Sequence, residues 1–338
     1  MQNNNFNNGA TDNNSNNNGG MMIMMNGTIG TMEAFAETVK AAMEAVYGSE
    51  CAVEVNMLVK NNGLHLTGIV IRSRDRNMAP TIYLDGYFAD YKEGRTMENI
   101  CKEIVQVYEK NKVQEDFSVE SVTDFNRAKD RICFKLVNRE KNAELLSDAP
   151  YVEYQDLAVI FYILVSKDNT GTASITVRTT LKEMWGVDTD TLYDLAKKNT
   201  QRLFRGRVSS MMEVMAEIIG DSADTLDEDM VEAFFDMDVY EDSAFPMYVA
   251  TNVSKLNGAC ILLYDGVLEK FAEKIGGDFY ILPSSVHEVL FVPANGDMDA
   301  RYLIEMVREV NATQVAPDEV LSDNVYMYHA DKDFVEMM

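Results

Sequence analysis

Ser284, Ser285, His287 and Glu288 stand together in the stretch Ile281 to Pro293, ILPSSVHEVLFVP, between two apolar runs that read as adjacent strands. A hydroxyl, an imidazole and a carboxylate so close together are the parts of nucleophilic acyl transfer. In that chemistry a base takes the proton of an attacking hydroxyl and a third group orients the base. On a regular strand Ser285 and His287 project from one face and Glu288 from the other. That spacing alone does not bring imidazole to hydroxyl. Pro283-Ser284-Ser285 is equally a turn sequence whose hydroxyls bond local backbone, and there is no Gly-x-Ser-x-Gly elbow. Ser285, His287 and Glu288 are therefore the catalytic candidates, set against a purely structural role.

Other chemistries are weaker in the sequence. Asp221, Asp227, Asp229 and Glu232 fall at positions 1, 7, 9 and 12 of a calcium-loop register, but Ala223, Thr225 and Leu226 stand where two further oxygen ligands and a glycine belong. His65, His287 and His329 share no short motif, so no metal site is expected. Phosphate-loop and dinucleotide glycine patterns do not occur, and no cofactor is expected. Cys51, Cys101, Cys133 and Cys260 are widely spaced within apolar patterns and read as buried free thiols of a reducing compartment.

Charge is distributed unevenly. Lys and Arg total 30 against 55 Asp and Glu, a formal charge of −25, which repels nucleic acid and anionic membrane at long range. From Val208 to Ser254 no basic residue occurs, while Lys197, Lys198, Arg202, Arg205 and Arg207 just before it are uninterrupted by acid. Those five form the candidate interaction surface, read as continuing a helix whose end they suit electrostatically. With Phe204 as the only aromatic residue among them, they are a poor nucleic-acid platform. The nine residues Leu157 to Val165 are the longest apolar run, half of what a membrane-spanning helix requires. The first basic residue is Lys40, so the apolar cluster Met21 to Met25 lacks the flank of a secretory signal.

The elements that must position these residues follow from periodicity. Residues 1–20 hold ten Asn and one Phe, so residues 1–30 are expected to be a disordered tail. Thr31 caps a helix with Phe35, Val39 and Met43 on one face. Val53 to Val59 and Leu64 to Ile71 form a hairpin about an Asn62-Gly63 type I′ turn, Pro80 to Leu84 is extended, and Thr96 starts a helix bearing Ile100, Ile104 and Tyr108. Strands are expected at Asp156 to Val165, Ala173 to Thr179, Met247 to Thr251, Ala259 to Leu263, Phe279 to Leu282 and Val286 to Val292. Helices are expected at Thr189 to Leu203, Gly266 to Ile275 and Met298 to Val310. Short turns between strands, with helices following, indicate an α+β fold of strand-strand-helix modules whose antiparallel sheets are covered by helices. The length suits two parts: residues 31–220 and 246–338, joined by an acidic linker or short helix at 221–245. Met230, Val231, Phe234 and Phe235 give that segment an amphipathic stripe.

The strings NNGLHLTGIVIR, PTIYLDGYFADYKEG, MWGVDTDTLYDLAKKNT, MYVATN, GACILLYDGVLEKFAEKIGGDFYILPSSVHEVLFVP and REVNATQVAPDEVLSDNVYMY resemble a family of bacterial, largely clostridial, proteins, the domain of unknown function 5688. The resemblance runs from Met32 to Tyr328. It implies a bacterial cytoplasmic protein and carries over no activity, cofactor or catalytic residue. The Asn-rich tail departs from the pattern.

The function expected from these observations is a cytoplasmic binding or regulatory module acting through a protein partner, because oppositely charged surfaces meet near residue 208 and steer association. A hydrolase centred on Ser285 and His287 is the alternative, and an acidic antagonist in bacterial conflict the third reading. Because residues 1–20 carry no apolar anchor, deleting them is expected to leave the thermal unfolding midpoint unchanged, as calorimetry would show; a loss of several degrees would mean that the tail packs on the fold.

Overall fold

A computed structural model describes residues 29–112, 118–168, 171–222, 246–283, 285–294 and 299–338. The expected tail lies outside the described residues, apart from Ile29 and Gly30, as does the acidic segment beyond Ser222. The architecture is α+β, with three antiparallel sheets.

The first sheet belongs to residues 29–112. Thr31 Oγ1 accepts the Ala34 N–H and starts α1 (Met32–Tyr47), which buries Phe35, Ala36, Val39 and Met43. β1 (Cys51–Val59) and β2 (His65–Ser73) pair with Val59 opposite His65, and β3 (Thr81–Tyr83) joins β2. The hairpin loop is wider than a two-residue turn: Asn62 and Gly63 have the expected positive φ, but Lys60 N–H closes the loop on Leu64 O at 2.7 Å. α2 (Asp85–Lys92) was not legible in the periodicity because it fully buries no residue. α3 (Met97–Asn111), capped by Thr96, buries Ile100, Cys101, Ile104 and Tyr108. α1 and α3 share with this sheet an apolar core of its own.

The second sheet is built on one long strand. β4 (Ile132–Asn138), β5 (Tyr151–Tyr154), β6 (Leu157–Asp168) and β7 (Gly171–Thr176) all pair antiparallel with β6 at its centre. Leu157 to Leu164 are all buried. One face, with Leu157, Val159, Phe161 and Ile163, enters the large core. That core also takes Leu192 and Ala196 from α4 (Thr189–Leu203), which Asp188 caps. The opposite face forms two smaller clusters, around Tyr162 with Cys133 and around Ile160 with Val137. β4 and β5 are not marked by periodicity, because β4 carries Lys135 in mid-strand and β5 has only four residues.

The third sheet has the order β13-β12-β10-β11-β9-β8. Its strands are β8 (Gly206–Ser210), β9 (Tyr248–Asn252), β10 (Phe279–Leu282), β11 (Val289–Pro293), β12 (Tyr326–His329) and β13 (Phe334–Met337), interleaved with α5 (Met211–Ser222), α6 (Val267–Ile275) and α7 (Ala300–Thr313). Gly258–Leu263 is a 3-10 helix and not the expected strand, because an apolar run of this length cannot distinguish a strand from a buried helical turn. Among the described residues no helix is long and apolar enough to cross a membrane.

β8 and β9, the strands flanking the acidic segment, are hydrogen-bonded neighbours, and one core draws residues from both sides of it. The residues of the first core end at Tyr108 and those of the large core begin at Val122. Among the described residues, polar contacts join the two parts. Asn62 Nδ2 donates to Pro317 O and Val320 O at 2.8 and 2.7 Å, and Asn61 Nδ2 donates to Asp318 O at 2.8 Å. Asn62 N–H donates to Asn142 Oδ1 at 3.0 Å, and Asn142 Nδ2 returns the bond to Asn62 Oδ1 at 2.9 Å.

Lys135 lies on the same face of β4 as Cys133 and Val137, between the two small apolar clusters. Burial pushes its ammonium pKa down, and Lys60 adds to the effect. A lysine whose folded pKa is depressed holds fewer protons folded than unfolded as pH rises through that pKa, so its destabilising contribution is greatest at low pH and fades toward pH 10. Lys135→Met is accordingly expected to be more stable than the parent at pH 7, with a margin that narrows by pH 9.5. Urea unfolding of both proteins at the two pH values checks this; a margin that widens with pH would contradict it.

Candidate functional site

The chain between β10 and β11 holds the sequence candidates in a turn, not on a strand. Ser285 N–H donates to Glu288 O at 3.2 Å and His287 N–H to Ser285 Oγ at 3.0 Å, so the Ser285 hydroxyl oxygen serves as a local backbone acceptor. Val286 N–H donates to Glu319 O at 2.8 Å, which ties the turn to the chain before β12. The imidazole is engaged at both nitrogens: Nδ1 accepts Asn257 N–H at 3.1 Å, and Nε2 faces Glu319 Oε1 at 3.4 Å. That pattern assigns the proton to Nε2. Among the described contacts none joins the imidazole to Ser285, and the neighbouring Ser284 lies outside the described residues. Glu288 contributes its backbone carbonyl to the turn.

A glycine makes this packing possible. A Cβ on Gly258 would lie 2.1 Å from Thr251 Oγ1 and 2.3 Å from His287 O, closer than any side chain can approach. Thr251 Oγ1 donates to His287 O at 2.7 Å in the same place. The arrangement of β9, the 3-10 helix and the His287 turn is thus a packed polar junction.

The basic run does not continue one helix, since α4 ends at Leu203 and Arg205 and Arg207 lie at the β8 edge of the third sheet. Lys197 Nζ pairs with Asp265 at 2.6 Å, Arg202 donates to Asp130 O at 2.7 Å, and Arg207 pairs with Glu217. Three of the five cations thus engage their own chain, while Lys198 and Arg205 are exposed. Trp185 is half-buried against the large core: its Nε1 donates to Val122 O at 3.0 Å, and its ring meets Phe125 with centroids 5.6 Å apart.

A cleft of about 480 Å³ opens where the ends of α1, β2 and α3 converge. Tyr47, Cys51 and Tyr108 meet there, with Glu50, Asp75 and Glu109 set against Arg76 and Lys112. The Tyr47 and Tyr108 rings meet edge to face, 5.0 Å between centroids. Tyr47 Oη donates to Glu109 Oε1 at 3.3 Å, and Lys112 Nζ donates to Glu109 Oε2 at 2.5 Å. Cys51 is half-buried, unlike Cys101, Cys133 and Cys260, and its Sγ lies 3.8 Å from Tyr108 Oη. Burial, with the Cys51 hydrogen bond, pushes the Tyr108 phenol up to about 12, and burial with the Glu109 charge raises Tyr47 further. Burial also pushes the Cys133 and Cys260 thiols up, to about 11 and about 12, which keeps them unreactive. No sequence motif marks the cleft, because its residues come from the termini of separate elements.

The calcium register and one group seen only in the structure bear on metals. Asp227, Asp229 and Glu232 of the calcium register lie outside the described residues. Asp278 comes within reach of His329 and Asp331, which are two apart in sequence, at the β10 and β12 ends of the third sheet.

A model of a family of unknown function, DUF5688, matches residues 32–330. The chain belongs to this family. The matched span includes the whole cleft, the His287 turn and all three sheets up to the start of β13. No curated protein and no solved structure matches the chain.

With both His287 nitrogens and the Ser285 oxygen engaged in holding the turn, a fluorophosphonate probe is expected to leave Ser285 unlabelled. His287→Ala is expected to cost about 1–3 kcal/mol of stability through the lost hydrogen bond from Asn257 and lost packing. Mass spectrometry of probe-treated protein and denaturant unfolding of the variant are the measurements; labelling at Ser285 that depends on His287 would establish a hydrolase.

Proposed function

We propose that this protein is a binding or regulatory module of the bacterial cytoplasm that acts through a protein partner, with the cleft between α1, β2 and α3 as its recognition element. The observation that carries this reading is the composition of the cleft: two aromatic rings in its lining together with charges of both signs. Aromatic surface combined with orienting polar groups is the usual make-up of a recognition site. Glu109 is held between Tyr47 and Lys112, so part of the lining is oriented before any partner arrives. The Ser285 and His287 alternative draws no support from the contacts of the His287 turn, where the groups that would react hold backbone instead.

A photo-crosslinking phenylalanine in place of Tyr47 tests the reading. In extract of the source organism it is expected to give a discrete protein adduct that diminishes when Lys112→Glu and Arg76→Glu are added. The same group in place of Glu305, exposed on α7, should give none. Identical patterns from the two positions would refute the cleft as a recognition element.

A further inference from the structure

We propose that Asp278, His329 and Asp331 form a binding site for one divalent transition-metal ion of the zinc class, with Glu336 as the outer partner of the histidine. One donor atom from each of the three residues lies within 4.8 Å of the others, so a single ion can touch all three. His329 ends β12, Asp331 lies in the β12–β13 turn, and Asp278 directly precedes β10, the strand that pairs with β12. The sheet register therefore sets the spacing of Asp278 and His329, which stand at the ends of two paired strands.

The contacts within the group match those of an ion site. His329 Nδ1 faces Asp278 Oδ2 across 3.4 Å, well beyond the roughly 2.7–2.9 Å of a charge-assisted hydrogen bond. Two donors each about 2.0–2.2 Å from a tetrahedral ion stand about 3.4 Å apart, which is the separation found. The other imidazole nitrogen, Nε2, is 3.0 Å from Glu336 Oε2. A carboxylate there accepts a hydrogen bond from Nε2–H and leaves the Nδ1 lone pair directed at the Asp278 and Asp331 carboxylates, the outer-shell arrangement that accompanies metal-bound histidine. Asp278 is oriented as well, since its Oδ1 accepts Ala330 N–H at 2.9 Å while Oδ2 faces the imidazole. One imidazole with two carboxylates suits zinc and its neighbours better than calcium, which takes oxygen ligands alone. Asp331 is exposed, so the remaining coordination position opens to solvent and takes water. An ion bound there links the β10 end to the β12–β13 hairpin.

Titration of the full-length, chelator-stripped protein with Zn²⁺ in the presence of millimolar Mg²⁺, which occupies acidic surface, tests the site. One tight equivalent per chain is expected by calorimetry. Asp278→Asn and His329→Ala should each abolish it, while His65→Ala and His287→Ala should retain it. Glu336→Gln, an exposed and conservative change, should weaken binding about 10–100-fold. Circular dichroism establishes which variants are folded, and Asp278→Asn decides the matter if His329→Ala is not. The proposal is overturned if the parent binds no equivalent, if either folded ligand variant retains it, or if the two histidine controls lose it. Unchanged affinity in Glu336→Gln would remove that residue's assigned role.

Discussion

Burial of β6 on both faces is the constraint on which the larger part of the structure depends. Eight consecutive residues, Leu157 to Leu164, are inaccessible, and each buried aliphatic or aromatic side chain of this kind is worth about 1.5–3 kcal/mol. One layer cannot satisfy such a strand. Its odd-numbered residues are covered by α4, the Gly258–Leu263 helix and the inner face of the third sheet, its even-numbered ones by the short apolar segments around Leu145 and Phe204. The third sheet must therefore close over the second. It does so by pairing β8 with β9, which brings chain from before and after the acidic segment into one core.

Polar contacts then set how the layers sit. Asp156, in the β5–β6 turn, accepts hydrogen bonds from Ser322 Oγ at 2.6 Å, Asn324 Nδ2 at 3.0 Å and Tyr326 Oη at 2.5 Å, fixing the approach to β12 against the second sheet. Desolvation and the Asp156 charge raise the Tyr326 phenol far above its ordinary value, so it donates at any physiological pH. The hairpin tip at Asn61 and Asn62 reaches the chain just upstream, residues 317–320, and anchors the first core to the rest through amide groups. Such contacts add directional specificity where apolar burial is non-directional.

The chemistry-bearing groups lie where these layers end. The cleft forms at the rim of the first core, where α1 and α3 stop beside β2. The His287 turn lies at one end of the third sheet, and Asp278 with His329 lies beside the outer strands of the same sheet. The His287 imidazole accepts a backbone N–H at one nitrogen and faces Glu319 at the other, whereas both nitrogens of His329 face carboxylates, those of Asp278 and Glu336. The two histidines thus differ in what their second nitrogen is left to do.

Local elements were legible wherever a single periodicity and its cap agreed. Thr31 and Thr96 with the apolar faces they introduce, the β1–β2 and β10–β11 hairpins, and the span Thr189–Leu203 all follow from nearest-neighbour physics, as does the α+β class. β4 was hidden by Lys135, the strand at Ala259 was a buried helical turn, and β8, β12 and β13 were too short for their pattern to stand out. Of the candidate site residues, sequence brought Ser285, His287 and Glu288 to notice by proximity, but proximity along a chain does not direct an imidazole. Only the tertiary structure decided that His287 faces Asn257 and Glu319, that Tyr47 meets Tyr108, and that His329 meets Asp278. Those contacts depend on strand order and register across three sheets, which long-range packing settles and no local pattern encodes.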